Sequence, residues 1–246
     1  MTSGLYTILS VLVFGMLYIF TALGIFTVIF LSWFRAKRLI RFLTMIWARS
    51  VFLLLGKRLQ ITGKDNIIRD EKYILTANHS SLFDIVAIMS FYPGVSWFGH
   101  ERLLRVPLLR YFLKLTDYVP FKEPTVTNTR HMLDQLYNKA EKQSVALFPE
   151  GTRTLNGRIN PFYRGFIYLL RTRDIDILPI TLNGFYDLKP KNRFRINFRS
   201  KLSVVIHKPV PRGDLITRSD REIVEAIKSI IESAHQVSET KLRPGP

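Results

Sequence analysis

Residues 5–34 form a run of thirty positions without one charged side chain, and the first charge anywhere in the chain is Arg35. Such a run predicts a membrane helix. At about 1.5 Å per residue it reaches roughly 45 Å, beyond the roughly 30 Å hydrocarbon core, so a tilt or a break at Gly15 or Gly24 is expected. A cleaved secretory signal fits less well, because no Lys or Arg precedes the run and the run exceeds an h-region. The pattern then changes. Leu39, Ile40, Phe42, Leu43, Ile46, Trp47, Phe52, Leu54 and Leu55 interleave with Arg35, Lys37, Arg38, Arg41, Arg49, Lys57 and Arg58, with no acidic residue before Asp65. This is a basic amphipathic pattern suited to an interface with anionic headgroups, the alternative being a basic helix of the core. The positive flank places everything after it on the cytoplasmic face if the segment spans, and a hairpin entering one leaflet is the other topology left open.

Beyond residue 59 short apolar runs alternate with helical periodicity. Runs at 73–77, 144–148, 177–182, 195–198 and 203–207 read as strands, and 126–142, 162–173 and 219–233 read as helices. The fold class expected is α/β, a mostly parallel central sheet flanked by helices, with an N-terminal membrane-embedded helical segment. The expected organisation is a membrane helix plus basic interfacial helix over 1–58, an α/β domain over 59–240 and a disordered tail over 241–246. In such folds sites form beyond the carboxyl ends of the strands.

A net charge of +17 over 246 residues favours polyanionic partners. Its concentration beside the apolar run points to a lipid bilayer with anionic headgroups, and no helix-turn-helix, zinc-finger or RNP-type signature speaks for nucleic acid. The chain contains no cysteine, which excludes disulfides and thiolate metal sites, and no pair among its five histidines has metal-ligand spacing. No cofactor and no metal is expected.

Two segments about seventy residues apart carry candidate chemistry, 78–84 (Asn-His-Ser-Ser-Leu-Phe-Asp) and 148–153 (Phe-Pro-Glu-Gly-Thr-Arg), each where a strand should end. His79 has the one side chain of the first segment that exchanges a proton near neutrality. Ser81 and Asp84 have S-x-x-D capping spacing, so Asp84 sits within a turn of a helix start and reaches back to the imidazole. In the second segment Gly151 permits a tight turn that presents N–H groups to an anion, and Arg153 offers a planar donor fork suited to phosphate. Glu150 is read as an organiser of that loop. A base with its orienting carboxylate, an oxyanion turn and an anion-binding cation together suit acyl transfer to a hydroxyl.

These residues resemble the 1-acylglycerol-3-phosphate acyltransferase family, the PlsC-type glycerolipid acyltransferases. The family's N-H-x-x-x-x-D motif is matched by Asn78, His79 and Asp84, and its F-P-E-G-T-R motif by residues 148–153. Leu178-Pro179-Ile180 matches a later V-P-I/V strand, and Phe162, Arg164 and Gly165 match F-K/R-x-G. The resemblance implies transfer of a fatty acyl group from an acyl thioester, acyl-CoA or acyl carrier protein, to the sn-2 hydroxyl of lysophosphatidic acid. It implies His79 as base, Asp84 as its orienting partner, and Glu150, Gly151, Thr152 and Arg153 around the substrate. Two segments depart from the family pattern. His100 stands where a phosphate-binding lysine is expected, in His100-Glu101-Arg102-Leu103, and Lys122 replaces an arginine in 117–122. Both remain candidates for substrate binding, and the departures leave another lysolipid open as acceptor. A non-catalytic lipid-binding role is the rival of a different class, and an intact His79 and Asp84 speak against it. The location expected is a bacterial-type inner membrane, with the catalytic domain on its cytoplasmic face.

Overall fold

A computed structural model describes residues 3–105, 110, 113, 118–121 and 126–237. The expected tail at 241–246 lies outside the described residues, as does Lys122.

The apolar run forms one continuous helix, α1 (Ser3–Trp33), with no break at Gly15 or Gly24. Gly24 instead permits a close approach, since a Cβ there would lie 3.2 Å from Cδ1 of Trp47 on the next helix. The chain reverses at Arg35, which adopts a left-handed φ of 54°, and α2 (Lys37–Leu54) folds back against α1. Thr44, Ala48, Val51 and Phe52 are the buried face of α2. This face, with Val13 and Leu17 of α1, enters the same apolar cluster as the central sheet. Two of the basic residues of this region are committed to protein carbonyls. Arg49 Nε donates to Ser90 O at 2.9 Å, and Lys57 Nζ donates to Phe198 O and Ser200 O, both at 2.6 Å. Arg35, Lys37, Arg38, Arg41 and Arg58 are exposed.

Seven strands form one sheet in the order β1-β7-β6-β2-β5-β3-β4: β1 (Leu59–Thr62), β2 (Tyr73–Ala77), β3 (Val95–His100), β4 (Val119–Phe121), β5 (Ser144–Leu147), β6 (Asp176–Asn183) and β7 (Leu202–Ile206). All pairings are parallel except β6 with β7. The central strand β2 is buried along its whole length, as a strand covered on both faces must be. Its side chains alternate between two cores. Leu75 and Ala77 face Phe52, Ala48, Phe83 and Ile88, whereas Ile74 faces the cluster built by Leu136, Phe166, Leu170, Ile223 and Ile227. The first layer comes from α2 and α3 (Phe83–Met89), the second from α4 (Val126–Ala140), α5 (Gly165–Thr172) and, after the single turns α6 (Phe185–Leu188) and α7 (Arg212–Leu215), α8 (Asp220–Ser233). The α/β architecture with a mostly parallel sheet is the one expected from the sequence.

Three departures have physical causes. Residues 195–198, expected as a strand, are a loop whose alternation serves other contacts. The N–H of Ile196 donates to Ser10 Oγ of α1, that of Asn197 donates to Leu188 O, and the Ile196 side chain is buried in the core. The helix expected over 162–173 begins at Gly165, because the Tyr163 N–H is held by Pro149 O of the second motif. Strands β1, β3 and β4 were not anticipated. They lie towards the two edges of the sheet, and β4 is three residues long with Pro120 at its centre.

Candidate active site

Parallel pairing of β2 with β5, with Thr76 opposite Leu147, delivers both motifs at one edge of the sheet. Asn78 fastens the first to a third strand end. Its side chain donates to Leu182 O at 2.9 Å and accepts from the Leu182 N–H at 2.8 Å.

Asp84, fully buried in the first turn of α3, collects three donors on one oxygen. Its Oδ2 accepts from the N–H of Ser80 at 2.6 Å and of Ser81 at 2.8 Å, and lies 2.8 Å from His79 Nδ1. The reach-back to Ser81 is the carboxylate half of the expected capping interaction. The hydroxyl half is displaced by one residue: Ser81 Oγ accepts from the Phe83 N–H at 3.4 Å instead of that of Asp84, and donates to Lys189 O at 2.7 Å. An oxygen that already receives two backbone N–H groups acts as acceptor towards the imidazole, so Nδ1 carries the proton and Nε2 is left with its lone pair. The His79 ring stacks on Phe148, centroids 3.9 Å apart and planes 11° apart, and Trp97 stacks on Phe148 at 5.6 Å. The imidazole is thus fixed by a carboxylate at one edge and an aromatic face.

Glu150 joins the two motifs. It is buried, its Oε1 accepts from the His79 N–H at 2.6 Å, and its Oε2 accepts from the Asn160 N–H at 2.8 Å. Burial pushes its carboxyl up to about 7, against the pull of those backbone donors. It makes no ion pair with Arg153. The Thr154 N–H donates to His79 O at 2.9 Å, a second strut between the motifs.

Gly151 has φ +66°, a backbone conformation that favours glycine, and a Cβ there would press on the exposed Tyr163 ring at 3.0 Å. Its own N–H closes the turn onto Phe148 O at 3.0 Å. Amides around Gly151 are the ones expected to receive an oxyanion. The amide of Gly151 itself is committed, which leaves those of Thr152 and Arg153, the next two residues of the turn. Thr152 is exposed and Arg153 half-buried. Arg153 has no carboxylate partner among the described residues, and its charge is felt by Lys189. His100 closes β3, but its side chain lies outside the described residues. Among the described residues no three His, Cys, Asp or Glu side chains gather as a metal site would require.

The stacking partners Phe148 and Trp97 were not singled out from sequence. Phe148 stands in the second motif, but its contact with His79 depends on the pairing of β2 and β5, and Trp97 enters through β3, a strand the pattern did not reveal.

The acyltransferase family model matches residues 58–183, just over half of the chain, and its span contains His79, Asp84 and the whole of 148–153. The chain belongs to the acyltransferase family. As an acyltransferase it is 27% identical over 201 residues to a chloroplastic 1-acyl-sn-glycerol-3-phosphate acyltransferase of Brassica napus, covering 80% of this chain and 56% of that one. It is 29% identical over 180 residues to the 1-acyl-sn-glycerol-3-phosphate acyltransferase of Borreliella burgdorferi, covering 72% and 70%. The chain spans about half the length of several such relatives, 56%, 48% and 47% in three of them. Its fold is that of the 1-acyl-sn-glycerophosphate (LPA) acyltransferase PlsC from Thermotoga maritima, with a TM-score of 0.81 at 24% identity over 98% of this chain and 100% of that one.

Proposed function

We propose that this acyltransferase moves a fatty acyl group from an acyl thioester to the sn-2 hydroxyl of lysophosphatidic acid, forming phosphatidic acid. The observation that carries this reading is the His79–Asp84 pair, whose Nδ1···Oδ2 contact of 2.8 Å leaves Nε2 as the proton acceptor. The acceptor hydroxyl gives its proton to Nε2 as its oxygen attacks the thioester carbonyl. Negative charge gathers on the carbonyl oxygen of the tetrahedral intermediate, where the N–H groups of Thr152 and Arg153 offer stabilisation. Collapse breaks the C–S bond, and the imidazolium returns the proton to the departing thiolate. Asp84 steadies the imidazolium throughout, as the carboxylate of a Ser-His-Asp triad does. The guanidinium of Arg153, with no carboxylate partner among the described residues, binds the acceptor's phosphate. His100 and Lys122 remain binding candidates on sequence grounds. The chemistry requires no metal or cofactor, and either acyl-CoA or acyl carrier protein suits a chain of net charge +17.

The membrane setting follows from the substrate. An acceptor resident in the bilayer is reached from its surface without extracting the acyl chain into water. Helix α1 is long and apolar enough to cross a membrane, and the basic residues that follow it assign the catalytic domain to the cytoplasmic face, with 1–58 as membrane-associated segment and 59–240 as catalytic domain. The test is an assay of the purified chain in mixed micelles, offering lysophosphatidic acid beside lysolipids without a phosphate monoester, with each thioester donor in turn. Phosphatidic acid is the expected dominant product; preferential acylation of another lysolipid contradicts the acceptor assignment.

A further inference from the structure

Between β6 and β7 the chain runs Lys189-Pro190-Lys191-Asn192-Arg193-Phe194-Arg195, a basic loop that neither motif includes. It is fastened to both. Ser81 Oγ, in the histidine motif, donates to Lys189 O at 2.7 Å, and Lys191 Nζ donates to Thr152 Oγ1, in the glycine turn, at 3.4 Å. On its far side the loop is fixed to α1 by Phe14 against Phe194, ring centroids 5.2 Å apart, and by the Ile196 N–H on Ser10 Oγ. It is therefore held against both motifs at a defined position.

Lys189 is 8% exposed, and its Nζ makes one hydrogen bond, to Pro190 O at 3.1 Å, out of three that an ammonium can donate. Its electrical surroundings are all unfavourable. Burial, then Arg153, then Arg193 hold its pKa below the ordinary lysine range, and no carboxylate acts in the other direction. Arg193 is itself occupied, with its guanidinium donating to Asp187 O and Arg195 O. Asp187 partly offsets the charge of Arg193, but no carboxylate offsets the repulsion between Lys189 and Arg153, and a bound dianion would reverse that repulsion.

We propose that Lys189 and Lys191 complete, with Arg153, a phosphate-monoester site that holds the acceptor's headgroup beside the base. This rests on the acceptor assignment above and extends it to two residues outside both motifs. The headgroup phosphate of the acceptor is a few bonds from the hydroxyl that reacts, so its site must lie next to His79. The loop meets that requirement at two points: Ser81, two residues from the base, holds the backbone carbonyl of Lys189, and Lys191 Nζ lies 3.4 Å from Thr152 Oγ1, beside Arg153, whose charge reaches the Lys189 ammonium. The phosphates of a coenzyme A or phosphopantetheine donor lie at the far end of a long arm from the thioester, away from the reacting atoms. The loop also accounts for how the chain manages with His100 and Lys122 in segments where the family pattern has other cations: the charge is supplied from after β6.

Titrating lysophosphatidic acid, and separately acyl-CoA, into the full chain in uncharged detergent micelles tests this without turnover. Lys189→Met is expected to raise the Kd for lysophosphatidic acid about 10- to 100-fold and Lys191→Gln by about threefold to tenfold, with the acyl-CoA Kd unchanged and Lys189→Arg restoring most of the affinity. An unchanged acceptor Kd in both neutral variants overturns the proposal, and so does a rise confined to acyl-CoA, which would assign the cations to the donor's phosphates. Should Lys189→Met fail to fold, the exposed Lys191→Gln decides alone by the same criterion. The reaction assignment fails differently. Wild-type chain that binds lysophosphatidic acid in a Lys189-dependent way but forms no phosphatidic acid with either donor loses the assigned reaction and keeps the site. Wild-type chain that makes phosphatidic acid while both variants bind normally keeps the reaction and loses the site. Wild-type chain that binds no lysophosphatidic acid removes both.

Discussion

His79 is held from every side that a general base can spare: Asp84 at Nδ1, Glu150 at its backbone N–H, the Thr154 N–H at its carbonyl and Phe148 across its ring. With His79 as the proposed base, the Phe148 ring is a positioning contact, because a base must sit within hydrogen-bond reach of the hydroxyl it serves and small displacements are costly. Phe148→Leu keeps the volume apolar but removes the stack, and is expected to lower kcat by about tenfold to 100-fold with little change in acceptor KM; unaltered kcat would assign Phe148 to packing alone. Glu150 carries a pH signature. Its carboxyl titrates near 7 in the folded chain against 4.5 when free, so between those values the folded chain holds a proton that the unfolded chain has released. Its contribution is fully favourable below about pH 4.5 and declines as pH rises through about 7, by up to about 3 kcal/mol. Glu150→Gln should therefore flatten the fall in unfolding free energy between about pH 5 and 7.5, and a slope equal to wild type would show that Glu150 does not set it. At this scale the sequence was legible where chemistry is local. The S-x-x-D spacing announced the reach of Asp84 to Ser81, and Glu150 was read as a loop organiser from its place in the turn. It was silent where a contact depends on strands meeting, as with Phe148 on His79, or where a loop far along the chain folds back, as with Lys189 on Ser81.

Elements were readable in proportion to how much their own periodicity decides them. Helix α8 is specified locally: Ser219 and Glu222 form a reciprocal capping box, and Ile223, Ile227 and Ile231 line its buried face. Strand β6 is likewise explicit, an apolar run buried at seven of its eight positions. The segment at 195–198 shows the limit, since alternation reports which side chains are inward and not what the backbone pairs with. Helix α2 shows another. Its basic amphipathic pattern fits a membrane surface and fits docking on a domain, and the structure uses one face for docking while Leu39, Phe42, Ile46 and Leu53 stay exposed. The end of that docking is Lys57, 7% exposed, whose ammonium satisfies Phe198 O and Ser200 O. Lys57→Met strands two carbonyls and should cost about 2–4 kcal/mol of unfolding free energy in denaturant titration. A loss under about 0.5 kcal/mol would mean that the carbonyls find water and that the lysine is dispensable to the fold.

For the molecule as a whole, two faces must be reconciled: a reaction site at the carboxyl edge of the sheet and an apolar helix that stands largely uncovered. Ile8, Leu12, Ile19 and Leu23 of α1 are all at least 60% exposed, a stripe that water would not tolerate at this length. Helix α1 also touches the basic loop beside His79 through Phe14 and Ser10, so the proposed lipid-facing helix and the proposed headgroup loop are in direct contact. Replacing Leu12, Ile19 and Leu23 together by Lys leaves the residues packed on the domain untouched and should move the chain from the membrane to the soluble fraction, since each charge costs about 2.5–3.5 kcal/mol at mid-bilayer; undiminished membrane retention would assign binding to α2 and its exposed cations. The global layout was largely legible, because strand and helix alternation fixes the layered architecture and places both motifs at strand ends. Its finer geometry was not, because the order of strands is set by pairing across the chain. The measurement that bears most directly on the whole account is the turnover of lysophosphatidic acid by His79→Ala, with folding checked by circular dichroism. A fall in kcat of about 10²- to 10⁴-fold or more in well-folded protein is the predicted result; near wild-type turnover would remove the base, and with it the mechanism built on the His79–Asp84 pair.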